Sequence, residues 1–288
     1  DLNNKINGIV WGIPMMILIL GAGIYLSIGC GFPQFTHFAH IMKNTLGKAF
    51  EKSEKKEGAV SPFQAMCTAL AASIGTGNIA GVSGAIAIGG PGAVFWMWIS
   101  ALLGMCTKYA EVTLSIKYRQ RNEAGDWVGG PMYYIKNGLG KNWKWLGAIF
   151  AVFGALAACG IGTMTQINTI AGTINTAISQ FVETSASQQT IIAWVISIIC
   201  AVIVAIVLLG GIQRLADVTA LLVPVMAIIY IVAALIVIIV NIGAVPAAFV
   251  AIFKGAFNPA AVSGGLVGVT LKTVITKGVG RGIFSNEA

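Results

Sequence analysis

The chain has 288 residues, 57% of them hydrophobic and only 10% charged, with a formal net charge of +8. Soluble domains average about 45–50% apolar and about 25% charged residues, so this composition excludes a soluble globular domain, and it equally excludes disorder, collagen and coiled coil. With a mean hydropathy of +0.84, the chain reads as an all-α, polytopic helical membrane protein, counted in spans of about 20 residues.

The first span covers residues 9–31, and its apolar run is too long for the h-region of a cleaved signal peptide. The loop after it carries His37 and His40, read as solvated loop residues, and then a run of lysines. No charge falls between Glu57 and Lys108. That stretch is too long for one crossing, and Gly89-Gly90-Pro91-Gly92 divides it into spans over 62–88 and 92–116. Phe95, Trp96 and Trp98 follow the turn and read as an aromatic belt on the outer face. A fourth span, long and tilted, is expected over 145–173. Spans over 190–209 and 218–240 follow, separated by Gly210-Gly211 and the charged Arg214 and Asp217. Residues 246–257 are too few to cross and read as an interfacial helix. A glycine-rich seventh span covers 260–284.

Lys/Arg placement orients these spans. Lys43, Lys48, Lys52, Lys55 and Lys56 fall after the first span, and Lys117, Arg119, Arg121, Lys136, Lys141 and Lys144 after the third. Arg214 follows the fifth, whereas the opposite side has Lys5 and Lys254. The positive-inside rule then puts the N-terminus outside. The positive charge marks cytoplasmic loops in this reading, and no nucleic-acid partner is expected. Five cysteines (Cys30, Cys67, Cys106, Cys159, Cys200) form no CxxC pair and read as small buried hydrophobes, with no transition-metal site among them.

No soluble-enzyme motif is present: GxxxxGK[ST], HExxH, GxSxG and CxxC are all missing from the sequence. The informative segment is Ala71-Ala72-Ser73-Ile74-Gly75-Thr76-Gly77-Asn78, near the middle of the second span. Each glycine lowers helix propensity by about 1 kcal/mol relative to alanine. Ser, Thr and Asn beside them can bond freed backbone, and a bilayer tolerates unwound backbone only against protein or a cavity. A break here would offer amides to an anion and carbonyls to a cation. Thr276-Lys277-Gly278-Val279-Gly280-Arg281-Gly282 has the same character in the last span. The pair of segments points to a transport site, although glycines also serve close helix packing. Lys272, Lys277 and Arg281 are costly charges in or near that span. No Asp or Glu falls near the centre of any span. Neutral oxygens from Ser73, Thr76, Asn78 and the main chain therefore favour sodium over proton coupling. Gln166 and Asn168 lie deep in the fourth span, suited to interhelical hydrogen bonds or to a cavity wall.

Several segments together resemble the alanine or glycine:cation symporter family. They are Gly89-Gly90-Pro91-Gly92-Ala93-Val94-Phe95-Trp96-Met97-Trp98, Ser73 to Val82, Gly104 to Glu111, Gly129-Gly130-Pro131-Met132-Tyr133-Tyr134, Lys254 to Pro259 and Gly280 to Glu287. The resemblance implies a leucine-transporter-type inverted-repeat fold with one extra N-terminal helix. On that mapping residues 1–288 form a single transmembrane domain. Residues 9–31 are the extra helix, 62–240 the first five-helix repeat, 246–257 an interfacial segment and 260–288 the start of the second repeat. The chain would then stop after core helix six, with part of the second repeat beyond it.

The implied function is a sodium-coupled symporter importing small neutral amino acids, alanine or glycine, by alternating access in the cell (inner) membrane. It is not an enzyme and uses no cofactor other than the coupling sodium. The alternative is a channel-type subunit with broken helices lining an ion path. The resemblance also implies roles for residues. The amides of Thr76 and Gly77 would hold the substrate carboxylate, with Gly75 also among the substrate-binding residues. The Ser73 carbonyl and Asn78 side chain would meet sodium or substrate, and the Ala71 and Ile74 carbonyls half of a second sodium site. Thr276, Gly278 and Gly280 would meet the amino group or side chain from the opposite wall. Gln166, from its place in the fourth span, is a further candidate substrate residue.

The topology is testable. In intact cells a Glu54→Cys variant is expected to resist an impermeant thiol reagent and to label after permeabilisation, and labelling without permeabilisation would overturn the orientation.

Overall fold

The computed structural model describes residues 12–45, 47, 60–123, 125, 127–158, 164–257 and 271–286. The lysine run after Lys43, residues 159–163 with Cys159, and the first part of the seventh span (260–270) lie outside the described residues. The chain divides into two compact units, residues 1–108 with 216–288, and residues 109–215.

The first unit begins with α1 (Ile13–Gly29), entered through Pro14 in its first turn. Two short helices follow, α2 (Pro33–Thr36) and α3 (Phe38–Thr45). His37 bonds Thr36 Oγ1 and His40 bonds Asn44, so each histidine is held by a sequence neighbour. The expected second span is two half-helices. α4 (Pro62–Ser73) starts from a capping box, in which Ser61 Oγ accepts from the Gln64 amide while Gln64 Oε1 accepts from the Ser61 amide. A π-helical turn (Gly77–Gly81) and α5 (Val82–Gly89) continue the chain, bent 47° from α4. Gly90, at φ +75°, makes the turn into α6 (Gly92–Lys117).

The second unit takes over at Tyr109 within α6. A two-residue ribbon pairs β1 (Gln120–Arg121) with β2 (Trp127–Val128). The guanidinium groups of Arg119 and Arg121 lie 4.3 and 5.0 Å from the Trp127 ring centroid. α7 (Pro131–Gly138) opens on Gly130 at φ +106° with Pro131 at its first position. α8 (Lys144–Ala157) packs on it, with Gly147 set against the Met132 backbone. Burial first, and then the Glu111 charge, push the Tyr134 phenol up from its ordinary value. α9 (Met164–Ser179) packs on α10 (Ala186–Leu209), and Asn175 Nδ2 donates to the Gln189 carbonyl. The expected span over 145–173 is thus represented by α8 and α9 on either side of residues 159–163. α10 starts four residues before the expected Thr190 because Ser185 and Gln188 form a second capping box.

α11 (Gly211–Val240) starts seven residues before the expected 218 and returns the chain to the first unit at Ala216. Arg214 and Asp217 ride on its first turns; the turn that was expected to include them is completed by Gly211 at φ +73°. α12 (Val245–Phe257) is a helix over the segment expected to be interfacial, and α13 (Leu271–Asn286) ends the described chain. By length and hydropathy α6, α10 and α11 can each cross a membrane, and the bent α4–α5 pair counts as a fourth span.

In the first unit α13 is the central element. It packs on α1, α5, the π-helical turn and α12. Val279 and Ile283 join Met16 of α1 in the buried core, flanked by Trp96 of α6. One α13 stripe is glycine and faces α6. A Cβ at Gly278 would lie 2.5 Å from the Ala93 carbonyl oxygen, and one at Gly282 would lie 2.7 Å from Ser100 Oγ. The sequence reading expected a break through Thr276–Gly282, but α13 is continuous there. The physical reason is packing: Gly278 and Gly282 remove side chains so that two backbones can approach, which is how membrane helices associate.

The aromatic belt also differs from expectation. Trp96 Nε1 donates to the Ala256 carbonyl at 3.1 Å, and Phe95 meets the rings of Phe253 and Phe257. Gly92 sits directly against Gly255. The aromatic residues therefore fasten α12 to the start of α6. Of the described cysteines, Cys67 and Cys106 are buried as expected, whereas Cys30 is exposed at the end of α1.

Gly278→Val is expected to destabilise the protein by about 1–3 kcal/mol through overpacking against α6. Gly280→Ala, whose Cβ would meet nothing within 4 Å, is expected to be neutral or mildly stabilising. Thermal melts of the two variants in detergent check the difference.

Candidate functional site

The break in the second span lies at Ile74–Thr76. Ile74 leaves the helix in an extended conformation (φ −95°, ψ 103°), while its amide still bonds the Leu70 carbonyl at 2.7 Å. The Ile74 carbonyl therefore turns off the helical path. Beyond it, the Asn78 amide bonds the Gly75 carbonyl at 3.1 Å, and the Asn78 side-chain Nδ2 reaches back to the Ser73 carbonyl at 3.0 Å. Ser73 Oγ donates to the Ala69 carbonyl. Side chains on both sides of the break thus bond backbone carbonyls, as membrane-buried backbone requires. Ala71, Ser73, Ile74, Gly75, Thr76, Gly77 and Asn78 are all half-buried.

The C-terminal side of the break faces α13. A Cβ at Gly77 or at Gly81 would collide with the guanidinium of Arg281. The two glycines, one helical turn apart, form a shelf under that group, and Arg281 is itself half-buried. One turn back along α13, a Cβ at Gly89 would lie 3.2 Å from Lys277 Cβ. α13 therefore runs antiparallel to α5 with its 277/281 edge against it.

The residues expected in the site separate into groups. Ser73, Gly75, Thr76, Gly77, Asn78, Ala71 and Ile74 share the break. Thr276 and Gly280 are half-buried on α13. Gly278 points its Cβ direction at Ala93 and Trp96 of α6 rather than at the break. Gln166 is half-buried on α9, in the second unit.

Two features escaped the sequence reading. Arg281 was noted only as a costly charge, yet an arginine four residues after a lysine in a glycine-rich span, with a Gly-x-x-x-Gly pair elsewhere to receive it, was the available signal. The other is the far end of α4, where Gln64 Nε2 donates to Asp217 Oδ1 and the Thr68 and Thr219 hydroxyls meet at 2.9 Å. These partners are 153 and 151 residues apart in sequence, and no local pattern announces them.

A family model described as the sodium:alanine symporter family matches residues 1–288. The sodium/alanine symporter AgcS of Methanococcus maripaludis is 46% identical over 292 residues, covering 100% of this chain and 60% of that protein. An uncharacterized transporter of Haemophilus influenzae is 46% identical over 288 residues, 99% of this chain and 59% of that protein. The amino-acid carrier protein AlsT of Bacillus subtilis is 40% identical over 288 residues, 100% of this chain and 57% of its own. The chain thus spans 57–60% of the length of these relatives.

Asn78→Ala removes the side-chain bond across the break. It is expected to cost about 0.5–1.5 kcal/mol of stability, whereas Ser83→Ala, on the exposed face of α5, should stay within about 0.5 kcal/mol. Denaturation midpoints of the two variants, measured side by side, check this.

Proposed function

The chain belongs to the sodium:alanine symporter family, an integral-membrane transporter family, and on that premise we propose that it serves sodium-coupled import of small neutral amino acids, alanine first and glycine second. The observation that carries the reading is the helix break at Ile74–Thr76, in a chain matched to that family over residues 1–288. A broken membrane helix brings backbone amides and carbonyls to one depth, where a zwitterion and a monovalent cation can replace their hydration shells.

In this reading the N-terminal side of the break supplies oxygen. The carbonyls of Ala71, Ser73 and Ile74 and the side chain of Asn78 hold sodium. Gly75 and the amides of Thr76 and Gly77 hold the substrate carboxylate. Thr276 and Gly280 line the opposite wall from α13, Gly278 keeps α13 close to α6, and Gln166 is a further candidate substrate residue. A small pocket rejects each extra methylene by about 1–3 kcal/mol, which suits alanine and glycine. The helices are read as a leucine-transporter-type inverted-repeat arrangement, with 9–31 as an extra helix, 62–240 as the first repeat and 260–288 as the start of the second. The protein sits in the cell membrane with its N-terminus outside.

Alternating access has a physical basis in the bent span. α4 is held by α11 through Gln64–Asp217 and Thr68–Thr219. The π-helical turn and α5 are held by α13. Two half-helices with separate partners can change their mutual angle without either one losing its own packing.

The test is uptake of labelled alanine by the full-length protein in proteoliposomes, with sodium, potassium or proton gradients imposed in turn. Uptake is expected with sodium alone, competed by glycine. Gly77→Leu is expected to abolish it while leaving a folded, membrane-inserted protein. Proton-driven uptake would overturn the coupling ion, and silence under every gradient would overturn the symport reading.

A further inference from the structure

We propose that Arg281 is the specificity-determining residue for the carboxylate end of the substrate, a role that rests on the symport reading and adds a residue to its site. Three observations converge on it. The guanidinium lies directly on Gly77 and Gly81, so it covers the same turn whose amides follow the break. Both positions are glycine, and a side chain at either would displace the group; the shelf is shaped to admit it. Its helix neighbours Val279 and Ile283 are 1% and 4% exposed, so the charge is carried on the buried core helix of its unit. A charge carried on such a helix is costly unless a partner or a pathway uses it.

The arrangement sorts charge along the break. On the N-terminal side, Ile74 turns its carbonyl off the helix and the Ser73 carbonyl is already an acceptor; this side suits a cation. On the C-terminal side stands the positive Arg281 guanidinium; this side suits an anion. A guanidinium also presents paired N–H donors that match two carboxylate oxygens, which a single ammonium does not. An amino acid entering the break is therefore oriented with its carboxylate toward the Arg281 guanidinium and its ammonium group away from it. A ligand with the same side chain and amine but a neutral amide in place of the carboxylate gains nothing from that charge.

The experiment compares alanine with alaninamide as ligands of the purified full-length protein in sodium buffer. Binding is read by thermal stabilisation and, separately, by competition against labelled alanine uptake. Wild type is expected to prefer alanine by 100-fold or more. Arg281→Gln is expected to weaken alanine at least 10-fold and to bring the two ligands within a few-fold of each other, and Arg281→Lys is expected to restore part of the preference. Where Arg281→Gln does not fold, Gly81→Ala gives the same readout, because its Cβ pushes the guanidinium off the shelf. Arg281→Gln that keeps both alanine affinity and the preference overturns the role of Arg281 and leaves the symport reading standing. Selective, Arg281-dependent binding without uptake under any gradient supports the carboxylate site and overturns symport. A wild type that binds alanine and alaninamide equally overturns the proposal.

Discussion

The contact on which the first unit depends is the close approach of α13 to the elements around it, made possible by side chains that are absent. Between membrane helices there is no hydrophobic gain to exploit, because lipid tails are as apolar as leucine, so association rests on van der Waals contact and hydrogen bonds. Each atom pair contributes only about 0.1–0.2 kcal/mol, and close backbone approach is what makes many such pairs. Gly278 and Gly282 bring α13 against Ala93 and Ser100. Gly92 and Gly255 do the same for α6 and α12. Gly77 and Gly81 bring Arg281 to the break. These six do positional work that alanine could not do without moving a neighbour.

Interrupting a helix inside such a packed unit creates a second requirement, since freed backbone groups find no water in lipid. The polar residues around the break answer it locally: Asn78 bonds the Ser73 carbonyl, and the Ile74 amide keeps its bond to Leu70. These bonds satisfy part of the freed backbone from within the chain. The polar contacts of Gln64 and Thr68 with α11, at the other end of α4, complete the picture of a half-helix fastened at its far end and jointed at its near end.

Much of this was legible in the sequence, because the bilayer makes charge-free length a strong signal. The boundaries of α10, α11 and α12 follow from it to within a few residues, except where polar capping residues or charged first turns extend a helix past its apolar core. The break at Ile74–Thr76 was legible because two glycines stood beside Ser, Thr and Asn that could bond the freed backbone. The glycines of α13 were misread for an instructive reason. A glycine in a membrane helix signals either a joint or a contact, and only the facing surface distinguishes them. At Gly278 and Gly282 that surface is the backbone and small side chains of α6, some 180 residues earlier in the chain, which no local pattern reveals. The same distance hid the partners of Phe95, Trp96 and Gln64. The two-residue ribbon and α7 within residues 117–144 are each too short to produce a period in the sequence.

Charge near the break gives the arrangement its direction. Had the span been interrupted without Arg281, the amides after the break and the carbonyls before it would form a weak dipole, screened by whatever water entered. A guanidinium fixed over Gly77 and Gly81 strengthens one pole only. Coulombic energy grows as the effective dielectric falls, so the asymmetry becomes most effective when the pocket is closed and dry. On the proposed reading, a zwitterion would then have one favoured orientation, and a sodium ion would be repelled from the arginine side toward the carbonyl side. Sodium and the carboxylate would in this way lie on opposite sides of one turn, and each ligand would improve the site for the other. That mutual improvement is the thermodynamic content of coupling, and here it would arise from the position of one fixed charge relative to one broken helix.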